Sequence, residues 1–358
     1  MSADPQPIAV VLAAGKGTRM RSALPKVLHR AGGRPLLAWV LDAARAAGCA
    51  RILVVVGHGA EQVRAELGAG DITWVLQEEQ RGTGHALAQA APEISGPARL
   101  LVLSGDVPLV AAETLARLLA AAGAAAGGWG AMATADLEHP GALGRVVAAP
   151  ESANPANPAD PANPANTDRL VRIVEAADAS PAELALRTVN AGLYALPAPA
   201  IFSYLERLRP ANAQGELYLT DAVTAAAGDG HRVTLVPLAD PLEAQGVNDR
   251  RELAAAHRRL LDRHLDALMR SGVGVLEPAR TVVEPAVRVG PDTLLHPGVS
   301  LLGRTAVGAG CVLHQGVWAR DSRIGDGAEI GPYCVLDGVE VASGRKIAAG
   351  ERLAAAGR

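Results

Sequence analysis

Residues 8–20 read IAVVLAAGKGTRM, a continuous apolar run followed at once by a glycine-rich turn. Continuous apolar runs predict strands that are buried on both faces, as in a parallel sheet. Glycines in the turn let backbone N–H groups approach phosphate oxygens that a Cβ atom would keep away. Arg19 within the turn and Lys26 shortly after it add positive charge. The stretch therefore predicts a phosphate-binding loop at the end of the first strand.

The pattern continues along the first two thirds of the chain. Further apolar runs lie at residues 51–56, 73–76 and 100–103, and helical apolar spacing recurs at residues 35–47, 111–122 and 220–227. Alternating strands and helices predict a doubly wound α/β domain, which we place at residues 1–247.

A low-complexity insertion interrupts this domain. Residues 152–166 repeat Asn-Pro-Ala triplets between two extended segments, 144–148 and 170–174. Proline at every third position excludes helix and central strand and favours a solvated, polyproline-like loop. We predict a hairpin whose arms flank a disordered loop without a catalytic role.

The C-terminal part follows another period. A helical pattern at residues 248–270 stops at Gly272, and we interpret residues 248–272 as a linker helix. Beyond it, small or branched aliphatic residues recur every sixth residue, with a five-residue step before Ile324: Val289, Leu295, Leu301, Val307, Leu313, Ile324, Ile330 and Leu336. This period is typical of hexapeptide repeats, which predict a short left-handed parallel β-helix over residues 273–358. About eight hexads would make fewer than three turns.

Composition narrows the choice of function. The chain has 358 residues, 49% of them hydrophobic and 20% charged, with a net charge of -3, which is unlike a nucleic-acid-binding domain. It shows neither a signal-peptide pattern nor an apolar stretch near the roughly 20 residues that cross a bilayer. We expect a cytoplasmic protein without nucleic-acid or membrane partners. Its three cysteines show no metal-type spacing, so any metal site must use oxygen ligands.

Three more strings accompany the glycine-rich turn. They are VLQEEQRGTGHA at residues 75–86, SGDVPL at 104–109 and QGELYLTD at 214–221. With LAAGKGTRM and the following Pro25-Lys26, they resemble the bacterial bifunctional UDP-N-acetylglucosamine pyrophosphorylase/glucosamine-1-phosphate acetyltransferase family, over essentially the whole chain. The resemblance implies a Rossmann-like nucleotidyltransferase domain with a mixed, mostly parallel sheet, followed by the β-helix.

The resemblance also implies a substrate site. Leu12, Ala13, Ala14 and Gly15 would hold the nucleotide, with Arg19 and Lys26 as catalytic cations on the triphosphate. The uracil would meet Gln77, Gly82 and Thr83, and Ser104 and Gly105 would also contact substrate. The sugar would meet Gly144, Glu175 and Asn190, and Asn248 would also contact substrate. Asp106 and Asn248 would bind Mg²⁺, which favours hard oxygen ligands.

The sequence departs from the family pattern at three positions on the sugar-phosphate side. Ser104 stands where the family often has tyrosine, and Ala176 and Ala177 stand where a histidine and a lysine are expected. The nucleotide half of the pattern is intact. The reaction is therefore better defined than its sugar acceptor.

The reaction implied is attack by a sugar-phosphate oxygen on the α-phosphorus of UTP, with release of pyrophosphate. N-acetylglucosamine 1-phosphate is the favoured acceptor. We expect no acetyltransferase site, because the family's acetyltransferase residues lie on later coils, and the β-helix favours a homotrimer. Alternatives that the sequence leaves open are another sugar 1-phosphate, thymine as the base, and a non-catalytic sugar-nucleotide sensor. The short repeat tract argues against an acyltransferase that uses the β-helix, because His296 and His314 stand where outward-facing turn residues are common.

Overall fold

The computed structural model describes residues 6–68, 70–124, 128–149 and 169–355. These form two compact units, one with residues up to His29 and Pro35–Glu252, the other with Arg30–Arg34 and all residues from Leu253. The loop predicted at residues 152–166 lies outside the described residues. Within the described ranges, no helix combines the length and the apolar character that crossing a bilayer requires.

The predicted strands and helices of the first domain are confirmed, with ends displaced by at most two residues. From Ile8 to Pro237 the strands are β1 (Ile8–Ala13), β2 (Arg30–Ala31), β3 (Arg34–Pro35), β4 (Arg51–Val56), β5 (Ile72–Leu76), β6 (Ala98–Ser104), β7 (Gly128–Asp136), β8 (Arg145–Ala149), β9 (Arg169–Val174), β10 (Thr188–Ala198) and β11 (Arg232–Pro237). Of these, β2 and Arg34 of β3 fall in the second unit. The helices are α1 (Leu36–Ala46), α2 (Ala60–Leu67), α3 (Thr83–Gln89), α4 (Ala112–Ala124), α5 (Pro181–Leu184), α6 (Ala200–Arg207), α7 (Leu219–Gly228) and α8 (Arg250–Arg270).

Nine of the described strands form one sheet in the order β5-β4-β1-β6-β10-β7-β11-β9-β8. Neighbours from β5 to β6 pair in parallel, as do β7 and β11. Strand β10 runs antiparallel to β6 and β7, and β9 runs antiparallel to β11 and β8. Seven of these described strands therefore share one direction, which confirms a mixed, mostly parallel sheet. The pair β8 and β9 also confirms the predicted hairpin.

Two apolar clusters cover the two faces of this sheet. Ala9 and Val11 of β1 belong to one cluster, with residues of α1 and α4. Val10 belongs to the other, with residues of α3, α6 and α7. Helix α1 joins β1 to β4 on one face of the sheet, whereas α3 joins β5 to β6 on the other face. A crevice therefore opens at the carboxyl ends of β1 and its neighbours, where ligands of such sheets bind.

The second unit is a parallel β-helix that is longer than expected. Its described strands are β12 (Gly274–Val275), β13 (Val282–Val283), β14 (Arg288–Val289), β15 (Leu294–Leu295), β16 (Ser300–Leu302), β17 (Ala306–Val307), β18 (Val312–Leu313), β19 (Trp318–Arg320), β20 (Arg323–Ile324), β21 (Glu329–Ile330), β22 (Val335–Asp337), β23 (Glu340–Val341), β24 (Lys346–Ile347) and β25 (Arg352–Ala354). They form three parallel sheets of five, five and four strands.

The expectation of fewer than three turns was therefore wrong. The inward positions that the pattern missed are Val283, the small Ala319, and two residues after a second five-residue step, Val341 and Ile347. All four are buried in the same core as the predicted hexad residues. Leu265 and Leu268 of α8 pack into this core as well, and α8 confirms the helix predicted at residues 248–270.

Candidate active site

A cleft with a cavity volume of about 550 Å³ lies at the carboxyl ends of β1, β5 and β6. Ten of the sixteen residues predicted from the sequence line it: Leu12, Ala13, Ala14, Gly15, Lys26, Gln77, Gly82, Thr83, Ser104 and Asp106. The apolar strands β1, β5 and β6 end at the same edge of the sheet, so the residues at and after their carboxyl ends come close together. The other six do not line the cavity. Of these, Gly105 and Asn248 bond to residues that do, and Arg19 bonds to Asn248.

The glycine-rich turn folds back on itself directly after β1. The amide of Met20 donates to the carbonyl of Gly17, at 2.9 Å, within a single 3₁₀ turn. Gly17 has a φ of 60°, and a Cβ there would lie 2.7 Å from the Cβ of Lys26. Only glycine permits both the left-handed backbone and this close approach. The turn thereby packs closely against Lys26.

Two cations converge on one amide oxygen at the edge of the cleft. Nζ of Lys26 donates to Oδ2 of Asp106 and, at 3.2 Å, to Oδ1 of Asn248. Nη2 of Arg19 donates to the same Oδ1 at 2.9 Å. The predicted cations and the predicted metal ligands, which are widely separated in sequence, therefore form a single cluster.

Backbone contacts bring the two predicted metal ligands together. The amide of Val247 donates to the carbonyl of Asp106 at 2.9 Å. A Cβ on Gly246 would lie 3.3 Å from Oδ2 of Asp106, so a glycine leaves room for the carboxylate. After Asn248, the side chain of Asp249 accepts from the amides of Arg251 and Glu252 and begins α8.

The Asp106 and Asn248 side chains fit a divalent cation of the magnesium type. Both oxygens already accept hydrogen bonds from one ammonium group, so they point toward the position of a single cation. A carboxylate and an amide oxygen are hard ligands, and Mg²⁺ commonly takes few protein ligands and keeps waters or phosphates. Among the described residues, no group of three or more His, Cys, Asp and Glu residues could hold a metal ion. Any bound Mg²⁺ would therefore depend on ligands from the substrate or from water.

The predicted base-binding segment is held by the QGELYLTD string. The amide of Leu217 donates to the carbonyl of Arg81, and the amide of Gly84 donates to the carbonyl of Leu217, both at 2.8 Å. Oγ1 of Thr83 accepts from the amide of Leu219 at 3.0 Å. Gln77 is only 3% exposed, and its Nε2 donates to the carbonyl of Gly82 at 3.3 Å. With its amide nitrogen so engaged, the Gln77 side chain has a defined orientation.

The predicted sugar-binding residues form a second cluster. Asn190 lies at a bulge of β10. Its backbone N–H donates to the carbonyl of Gly144 at 2.9 Å, and its side-chain Nδ2 donates to the hydroxyl of Tyr194 at 2.7 Å. Oε1 of Glu175 accepts from the hydroxyl of Thr220 at 2.9 Å. Burial raises the pKa of the Glu175 carboxyl, and the bond from Thr220 partly opposes that shift. Burial likewise raises the pKa of Tyr194.

Ser104 and Gly105 lie between the two clusters. The amide of Gly105 donates to the carbonyl of Leu12 at 2.9 Å, which joins the ends of β6 and β1. Oγ of Ser104 faces Gly192, whose Cβ position would lie 3.7 Å away. Ser104 thus stands where the nucleotide cleft approaches the strand that carries Asn190.

Seven other described residues line the cleft but were not predicted as site residues: Lys16, Gly17, Thr18, Val27, Gln80, Ala86 and Glu216. All of them lie within or next to the quoted strings, so the strings themselves were the available signal. Gln80 is notable because its Oε1 is buried without a hydrogen-bond partner.

Comparison with known proteins places the chain in a family. A family model described as the MobA-like NTP transferase domain matches residues 9–204. The chain is 44% identical over 338 residues to the bifunctional protein GlmU of Pelobacter propionicus, covering 93% of this chain and 69% of that protein. The chain belongs to the GlmU family. The GlmU proteins of Syntrophotalea carbinolica and Pelotomaculum thermopropionicum are 42% and 43% identical, and the matches cover 93% and 96% of this chain and 68% and 75% of those proteins.

Solved structures agree with the fold of this GlmU family member. A UDP-glucose pyrophosphorylase complexed with UDP-glucose is similar with a TM-score of 0.57 at 17% identity, over 71% of this chain and 98% of that one. At this identity the similarity concerns the fold alone. The family model and the GlmU relatives identify the chain as an enzyme, a nucleotidyltransferase of sugar 1-phosphates.

Proposed function

We propose that the chain transfers a uridylyl group from UTP to N-acetylglucosamine 1-phosphate, with Mg²⁺ as cofactor. The observation that carries this proposal is the cluster of Lys26, Arg19, Asp106 and Asn248 at the edge of the cleft. Two fixed cations next to two metal-type oxygens are what a site needs to hold a triphosphate and its metal ion. Membership of the GlmU family, together with the motifs that resemble UDP-N-acetylglucosamine pyrophosphorylases, supports the choice of these two substrates.

The reaction forms one bond and breaks one bond at the α-phosphorus. A phosphate oxygen of the sugar 1-phosphate attacks, and the bond to the β-phosphate oxygen breaks, so that pyrophosphate leaves. Because the acceptor phosphate is ionised at neutral pH, this step needs no general base. Arg19 and Lys26 would hold the triphosphate and offset the charge that moves to pyrophosphate.

The magnesium ion would be held by Asp106 and Asn248. When bound, Mg²⁺ neutralises phosphate charge and orients the reacting groups. The turn at residues 14–17 would meet the phosphates with backbone N–H groups. Gln77, with its Nε2 directed at Gly82, keeps its carbonyl oxygen for an N–H donor such as uracil N3.

The sugar would lie toward Gly144, Glu175 and Asn190. Their hydrogen-bonding groups are mostly buried, and a buried polar group rejects an analogue that leaves it unpaired. Ser104 and the exposed Ala177 leave this side less crowded and less charged than a tyrosine and a lysine would. That observation favours a second candidate, transfer to a different sugar 1-phosphate by the same chemistry.

A substrate matrix tests this proposal. Pyrophosphate release would be measured with Mg²⁺ for UTP, dTTP, CTP and ATP against the 1-phosphates of N-acetylglucosamine, glucosamine and glucose. We expect the highest kcat/KM for UTP with N-acetylglucosamine 1-phosphate, and its loss in Asp106→Ala. Preference for another sugar would select the second candidate, and no release with any pair would contradict both.

Three expectations stay predictions. Acetyl transfer from acetyl coenzyme A to glucosamine 1-phosphate is predicted to be absent, and a thiol-release assay measures it. Trimer formation through the β-helix is measured by light scattering after gel filtration. A cytoplasmic location is measured by cell fractionation.

A further inference from the structure

Glu243 is a buried acidic residue that is not among the predicted site residues. It lies in the 3₁₀ turn Pro241–Ala244, shortly before Asn248, and it is only 4% exposed. Its Oε2 accepts from the amide of Ala111 at 2.9 Å, and its Oε1 accepts from the hydroxyl of Thr114 at 3.1 Å. Both donors are neutral, so the carboxylate is buried without an ion pair on either bond.

The position of the carboxylate explains how it can be buried. Ala111 immediately precedes α4, and its own side chain cannot cap the helix. Glu243 supplies the missing acceptor from a distant part of the chain. A carboxylate at a helix N-terminus is stabilised by the unpaired N–H groups and by the helix dipole. Local Ser, Thr or Asp would cap α4 as well, so a cap from a distant segment indicates an additional role.

The two segments that the Glu243 bonds join are also the segments that carry the predicted metal ligands. Asp106 lies five residues before Ala111, and Asn248 lies five residues after Glu243. The backbone amide of Val247, next to Asn248, donates to the carbonyl of Asp106 at 2.9 Å. The turn that carries Glu243 is itself fixed, because the side chain of Asp240 accepts from the amide of Leu242 at 3.0 Å. The Glu243 bonds and the Val247 bond therefore both join the loop of Asp106 to the loop of Asn248.

We propose that Glu243 is a positioning residue for metal binding, because its bonds to Ala111 and Thr114 fix the separation of the Asp106 and Asn248 side chains. Glu243 does not touch metal or substrate in this arrangement. The inference rests on the proposed function, because that proposal assigns Asp106 and Asn248 to Mg²⁺. Loss of a group that orients metal ligands commonly weakens metal binding about 10- to 100-fold.

The experiment measures Mn²⁺ binding by electron paramagnetic resonance to the full chain saturated with UDP-N-acetylglucosamine. For Glu243→Ala we expect the Kd for Mn²⁺ to rise about tenfold or more. The activating Mg²⁺ concentration should rise in parallel, while the KM for sugar phosphate changes less than about twofold. Glu243→Gln should recover most of the affinity, because its amide oxygen still accepts from Ala111.

Two matched variants separate positioning from general destabilisation. Leu118→Ala removes a fully buried side chain of α4 and should lower the melting temperature with an unchanged Kd for Mn²⁺. Thr114→Val removes one donor to Glu243 and should raise the Kd about threefold, so the test does not depend on Glu243→Ala folding. An unchanged Kd in Thr114→Val, or a Leu118→Ala effect equal to that of Glu243→Ala, would overturn the inference.

Asp106→Ala distinguishes this failure from failure of the proposed function. If Asp106→Ala abolishes Mn²⁺ binding and the Glu243 variants do not change it, the metal site stands and positioning by Glu243 is wrong. If Asp106→Ala binds Mn²⁺ like the parent protein, the assigned metal site is wrong and the inference fails with it.

Discussion

Nζ of Lys26 lies 3.2 Å from Oδ1 of Asn248, and the same Nζ donates to the carboxylate of Asp106. A cation of the protein therefore lies between the two oxygens proposed for Mg²⁺. A triphosphate offers Lys26 several charged acceptors, which form stronger bonds than a neutral amide does. Nucleotide binding should draw Lys26 away from these oxygens and so favour metal binding.

Lys26→Met should therefore change metal and substrate binding in opposite directions. Without nucleotide, we expect Mn²⁺ to bind at least about threefold more tightly, because the competing positive charge is removed. At the same time kcat/KM should fall about 10- to 100-fold, since a charge-assisted hydrogen bond to phosphate is lost. Paramagnetic resonance and pyrophosphate release measure the two effects. Lys346→Met, in the β-helix, is the control, and equal behaviour of the two variants would contradict the coupling.

Gln77→Ala tests selection of the base. The variant removes a buried amide that lines the cleft, so we expect the KM for UTP to rise about tenfold and the preference for UTP over CTP to shrink. Steady-state kinetics with both nucleotides measure it. Gln89→Ala is a matched control, because the side chains of Gln77 and Gln89 both contact the His85 ring but Gln89 does not line the cleft. An unchanged preference in Gln77→Ala would show that the base is selected elsewhere.

The raised pKa of Glu175 predicts a pH-dependent stability effect. Burial favours the neutral carboxyl in the folded protein, so the folded state binds more protons than the unfolded state as the pH rises above the ordinary value of 4.5. The free energy of unfolding should therefore fall through the interval between the unfolded and folded pKa values. Glu175→Gln keeps an acceptor for Thr220 but cannot ionise.

Urea unfolding at about pH 4 and about pH 7 measures this effect. The stability of Glu175→Gln relative to the parent should increase between the two pH values. Glu113→Gln, at an exposed position of α4, should show no such trend. A relative stability of Glu175→Gln that falls with pH would contradict the raised pKa.

Gly82→Ala should destabilise the base-binding segment. Gly82 has a φ of 102°, and a Cβ there would lie 2.6 Å from the backbone carbonyl oxygen of Leu217. We expect a loss of about 1–3 kcal/mol and a higher KM for UTP. Gly96→Ala is the matched control, because Gly96 also has a positive φ of 74° but open space around it. Thermal melts should show the larger loss for Gly82→Ala, and equal losses would mean that the close contact has no cost.

The sheet could be predicted from sequence because its strands are continuous apolar runs with clear ends. The β-helix was recognised but undercounted, since Ala319 is small and the spacing shortens to five residues before Val341. A fixed period of six does not accommodate those steps.

The site was predicted only as far as its motifs extend. The strings located Lys26, Gln77 and Asp106, which line one cleft. They gave no sign that Lys26 would bond to Asn248, because such a contact depends on the folding of distant loops. Glu243 was missed for the same reason, since an isolated glutamate in a polar segment is usually a solvated side chain.

The central claim is transfer of a uridylyl group at the cleft of Lys26, Asp106 and Asn248. The most direct measurement is pyrophosphate release from UTP and N-acetylglucosamine 1-phosphate with Mg²⁺, in the parent protein and in Asp106→Ala. The account predicts release in the parent that requires both substrates and Mg²⁺ and falls at least about 100-fold in the variant. Equal release by the two proteins, or none by the parent, would contradict it.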